Sequence, residues 1–233
     1  DNADKMVNLS TYTTVAKFPS DTPWRQDIYN GLGNGCLVVA GANANTEQGR
    51  ILLTRMGYKQ PRVDVPGPLH KYAPNPDIVH CPGDLRYKKA VGAGFAWDSY
   101  SGATFLHGEG GGFVRRTQII HPSERFVFTE GADARGENVG SWGMSVYGTT
   151  GAGFSDSRFG DSPAAFHITS SSFIFADGRA ESHKWLDGTT IRYANDNTLN
   201  KDSGGGGSLN AAQVGSRRDQ QWVGSRYPGP HNP

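Results

Sequence analysis

The chain has 233 residues, enough for one large domain or two small ones; nothing in it forces a split, so residues 1–233 read as one globular unit. Its 23 basic and 22 acidic residues nearly cancel, and basic residues do not interleave with aromatics, which argues against a nucleic-acid partner. Aromatics at 11 % can anchor a core and exclude disorder throughout, while 32 glycines favour a turn-rich β protein over a helical one.

In chain order, residues 1–30 are irregular, with Trp24 as a buried anchor. Cys36 to Ala40 is a short apolar segment. Residues 46–57 form the best helix candidate, with Thr46 as N-cap and Gly57 as its stop. Residues 61–82 are proline-rich and suit an extended path, with one helical turn at Leu69 to Tyr72. Phe95 to Tyr100 and Ala103 to Leu106 read as short extended pieces around Gly102. Residues 125–130 alternate well and predict a strand; Trp142 to Tyr147 is a second strand or a buried connector. Residues 172–176 and 179–185 flank Asp177-Gly178 and predict a hairpin closed by a type I′ turn, with Phe173 and Phe175 on one side of the sheet. Residues 203–208 read as a flexible loop, and a tail with Trp222 and Tyr227 packs back. The sum is α+β: an antiparallel sheet of four strands carrying long Gly-rich loops.

The hairpin also carries a spacing. His167 is followed by nine residues and then Asp177-Gly178, with a return strand ending in Lys184-Trp185. This resembles the H-x9-DG signature of prepilin-type, pseudopilin-like proteins of type IV pili and type II secretion systems. His80-Cys81-Pro82-Gly83-Asp84, residues 136–142, Asp219 to Trp222 and Arg226-Tyr227-Pro228 fit the same resemblance, which spans roughly residues 60 to 230. It implies a pilin-like fold in which an N-terminal hydrophobic helix lies across one face of the sheet. No run of 18 apolar residues occurs here, and the sequence starts at Asp1-Asn2, where the family's helix typically ends, so the chain reads as a soluble ectodomain without that helix. Part of an apolar sheet face should then be exposed or covered by the chain's own N-terminal segment. The resemblance further implies a non-enzymatic structural subunit of the cell envelope or exterior, membrane-anchored before assembly. Its partners would be other pilin or pseudopilin subunits, met through the helix, and secreted cargo. The alternative is an exported carbohydrate-binding or carbohydrate-active protein on the same scaffold.

Candidate chemistry is sparse. His167, Asp177 and Gly178 are expected to be structural, with His167 bonding a loop beside the hairpin near Asp177. No G-x-S-x-G elbow or H-E-x-x-H pair accompanies that histidine, so no catalytic residue is assigned. Cys36 and Cys81 either pair, closing a loop worth roughly 4 kcal/mol, or remain two buried thiols. Calcium is the metal that the Asn195–Asn197 loop, with Asp196 and Asp202, would take; ordinary Asx-turns are the competing reading. Glu109, Glu130, Asp133 and Glu137 are the carboxylates from which a glycosidase pair would have to come. Trp97, Tyr100 and Trp142 are the aromatics for stacking on polysaccharide, against their use as core anchors.

Overall fold

The computed structural model describes residues 4–11, 22–27, 42–62, 64–108, 112–133, 138, 140–145, 158–195 and 217–229. Helix α1 spans Glu47–Lys59, and the Thr46 hydroxyl accepts from the Gly49 amide at its start. The helix runs through Gly57 instead of stopping there. A Cβ at Gly57 would sit 2.7 Å from the Gln26 carbonyl oxygen, so this glycine serves the docking of residues 22–27 on the helix and not its termination. The proline-rich stretch holds one turn at Leu69–Ala73 and a 3-10 helix at Pro76–Val79; another follows at Leu85–Lys88.

Among the described residues six strands follow: β1 Tyr100–Gly102, β2 Phe126–Glu130, β3 Met144–Ser145, β4 Arg158–Phe159, β5 Ser170–Phe175 and β6 Ala180–Lys184. Helices α2 (Gly188–Asn195) and α3 (Arg218–Gly224) close the order. Four strands form an antiparallel sheet in the order β1-β2-β5-β6, and β3 pairs with β4 apart from it. With helices α1, α2 and α3 beside this sheet, the fold class is α+β. Helices α2 and α3 escape the sequence reading because both are short and contain few strong helix formers.

The two sheet faces differ. Phe173 and Phe175, each 1 % exposed, share one face as expected, and pack with Phe126, Trp142, Phe159, Trp185 and Tyr227. On the other face Phe128, paired with Ile174, meets Trp24 edge-on at 5.1 Å, beside Tyr58 and Val79. The N-terminal segment partly covers the sheet: Met6 and Val7 pack against the core, and Leu9 is buried. It crosses β1 so closely that a Cβ at Gly102 would lie 2.5 Å from that of Leu9. Beside it runs a mainly apolar groove of about 310 Å³ lined by Met6, Val7, Leu9, Ile119, Val127 and Phe128, together with the charged Asp4, Lys5 and Arg116.

The β5–β6 turn differs from expectation. Gly178 takes φ +93°, but Asp177 is not in the left-handed region, so a type I′ turn is not formed. The Gly178 amide donates to the Phe175 carbonyl, and the Phe175 amide donates to the Arg179 carbonyl. This is a three-residue loop, a tight turn through Ala176 and Asp177 followed by a left-handed glycine. Asp177 acts through its side chain, accepting from the Arg179 amide at 3.0 Å.

Candidate functional site

Cys81 sits between the two 3-10 helices, in the Cys-Pro-Gly-Asp turn. Its amide donates to the Ser99 hydroxyl at 2.9 Å, and that hydroxyl donates to Asp84 at 2.8 Å. Asp84 caps the Leu85–Lys88 helix by accepting from the Arg86 amide, and its carboxylate also grips the Arg86 guanidinium, with a shortest contact of 2.7 Å. Arg86 donates onward to the Asp98 carbonyl, while Arg25 pairs with the Asp98 carboxylate at 2.9 Å and donates to the Asn138 carbonyl. Arg25, Asp84 and Asp98 are all fully buried. This network fixes the turn from beneath; buried charges persist only when paired and hydrogen-bonded in this way.

The thiol of Cys81 meets two residues from distant parts of the chain. His167 Nε2 lies 3.4 Å from its sulfur and 3.1 Å from Glu130 Oε1. The other oxygen of Glu130 accepts from the Ser172 amide at 2.8 Å and from the Ser171 hydroxyl. Glu130 ends β2 and Tyr100 is its partner on β1, so the site occupies the sheet face opposite the main aromatic core. Cys81 and Glu130 are buried, whereas the His167 side chain is 43 % exposed and opens the site to solvent.

The close approach of the two motifs depends on Gly83. A Cβ there would come within 2.8 Å of the Phe166 carbonyl oxygen. The Gly83 amide also donates to the Cys81 sulfur at 3.4 Å. Burial pushes the thiol up to about 11, and the neighbouring Glu130 charge adds to the shift against the Gly83 amide. A nucleophilic cysteine needs the reverse, an electropositive surrounding that favours the thiolate. Burial likewise raises Tyr100 above the ordinary phenol value, helped by Glu130 and Cys81.

Of the residues singled out in the sequence, the structure joins His167, Cys81 and Glu130. It separates His167 from Asp177: the strand β5 lies between them, and six residues of strand span about 20 Å. The expected bond near the hairpin turn is therefore replaced by one to Glu130 at the far end of that strand. Cys81 is a free thiol, and Cys36 lies outside the described residues, as do Asp196 and Asp202. Trp142 is 3 % exposed, with its indole N–H on the Ser162 carbonyl, which removes it from any sugar platform. Trp97 stacks on His80 at 4.0 Å, with the Arg55 guanidinium also against its ring, and Tyr100 is half-buried beside Cys81. In the sequence Glu130 stands out only as one of four carboxylates for a glycosidase pair, with Glu109, Asp133 and Glu137, and not as a partner of His167 or Cys81. Nothing local marks it, because its partners lie 37 and 42 positions further along the chain.

The chain matches no protein-family model, no curated protein and no solved structure.

Proposed function

We propose that this chain is the globular head of a pilin- or pseudopilin-like subunit of the cell envelope, structural rather than catalytic. The observation that carries this reading is the mainly apolar groove beside the N-terminal segment, on an antiparallel sheet whose β5–β6 hairpin bears the His167-to-Gly178 spacing. In a pilin the hydrophobic helix needs such an apolar bed on the sheet, and the N-terminal segment lines this groove through Asp4, Lys5, Met6, Val7 and Leu9. Burying apolar area at roughly 25 cal/mol per Å² gives a helix laid there its hold on the head. The assembly partners are then further subunits of the same kind, joined helix to helix, while the loops on the head face neighbours or cargo.

The test is genetic and biochemical. The full-length gene is expressed in its host with and without the prepilin peptidase, and sheared surface material is probed for this chain. Peptidase-dependent shortening and recovery in filaments are expected. Cleavage by an ordinary signal peptidase, with the chain free in the medium, would sink the reading.

A further inference from the structure

We propose that Cys81, Glu130 and His167 form a binding site for one thiophilic divalent cation of the zinc class, with a solvent molecule completing the coordination. The three residues offer sulfur, carboxylate oxygen and imidazole nitrogen, the donor types that zinc takes. Their ligand atoms all lie within 4.8 Å of one another.

The distances suit a tetrahedron. Zinc bonds of about 2.3 Å to sulfur and about 2.0–2.1 Å to nitrogen and oxygen imply S···N and N···O edges of roughly 3.6 and 3.4 Å. The observed values are 3.4 and 3.1 Å. These two edges therefore need to open by only about 0.2–0.3 Å, which the exposed His167 ring can give, and the sulfur-to-carboxylate edge lies within 4.8 Å.

Charge favours the same ion. A thiolate and a carboxylate carry two negative charges, and a neutral imidazole adds none. A divalent cation makes the buried cluster electroneutral, which a monovalent ion cannot. Binding releases the thiol proton to solvent as the sulfur–metal bond forms.

The surroundings act as supports for ligands. The Gly83 amide, two residues past the cysteine, points at the sulfur, where it would stabilise a thiolate. The Ser172 amide and Ser171 hydroxyl hold the second Glu130 oxygen, leaving Oε1 turned toward His167. Outer partners of this sort orient ligands and tune affinity. The ion would fasten three segments: the Cys-Pro-Gly-Asp turn, the end of β2 and the loop entering β5. This inference stands apart from the pilin reading, since neither needs the other.

The experiment uses the whole chain, stripped with a chelator and titrated with Co²⁺ and then Zn²⁺. One equivalent of Co²⁺ should bind, with a thiolate-to-cobalt charge-transfer band in the near ultraviolet that Zn²⁺ abolishes. The melting temperature should rise with Zn²⁺ and not with Ca²⁺ or Mg²⁺. Cys81→Ser should remove the band, and His167→Ala, whose folding is checked by circular dichroism, should weaken binding by about tenfold or more. No saturable binding, binding without the band, or affinity unchanged in His167→Ala would overturn the proposal.

Discussion

Ile168 sits at φ +71° and is 87 % exposed, one position after the site histidine. A β-branched side chain in the left-handed region is strained, and that region costs an L-residue about 1–2 kcal/mol. Nothing gained by packing offsets this on an exposed side chain. The turn it makes lets the Thr169 amide reach the His167 carbonyl, which presents the imidazole to Glu130. Ile168→Gly should therefore stabilise the fold by about 1 kcal/mol, since glycine takes a positive φ without a Cβ clash, as this tight i→i+2 turn requires. Urea unfolding reads the change; a destabilised variant would show that the isoleucine is held by more than its backbone. The sequence gives no hint of this strain. It does mark His167 and Cys81, because each sits in a motif, but Glu130 lies in an ordinary alternating strand.

At the scale of elements, the signals that read correctly are local ones, although not every local signal does: Gly57 lies inside α1 and does not end it. Thr46 caps α1 as its side chain and position require. Phe173 and Phe175 share a buried face because strand side chains alternate. Asp177-Gly178 reverses the chain where expected, yet the two residues divide the work differently. Gly178 alone holds the positive φ, and Asp177 contributes one exposed side-chain bond. Gly178→Ala should cost about 1–2 kcal/mol, and Asp177→Ala clearly less. Equal or reversed costs in denaturant titrations would mean that both residues share the left-handed geometry. The nine-residue spacing itself acquires a meaning at this scale. It measures strand β5 plus the short approaches at either end, so the histidine and the turn mark opposite ends of one strand.

Across the whole molecule, the C-terminal helices are tied to the sheet by an exchange of carboxylates. Asp219 accepts from the Leu186 and Asp187 amides and faces His183, while Asp187 accepts from the Asp219 amide at 3.1 Å. Burial works against the Asp219 charge, but the His183 contact and the two amides outweigh it and hold its carboxyl below the usual value. A group lowered on folding contributes stability above its unfolded value, and loses it as pH falls through the folded one. The stability gap between the wild-type chain and Asp219→Asn should thus be wide at neutral pH and narrow as pH drops below about 3.9. A gap that persists unchanged into acid would refute the linkage. Trp222 rides on the same arrangement, stacked on His183 at 3.6 Å, so the tail packs back as the aromatic content of its sequence suggests. By itself the sequence determined what depends on near neighbours: the first helix and its cap, the face that β5 buries, the place of the hairpin and the α+β class. Only the tertiary structure decided that Cys81, Glu130 and His167 meet, that Trp142 is core, and that residues 4–9 line a groove. These follow from strand pairing and from glycines that admit close backbone contact, and such pairings join residues dozens of positions apart that no local pattern connects.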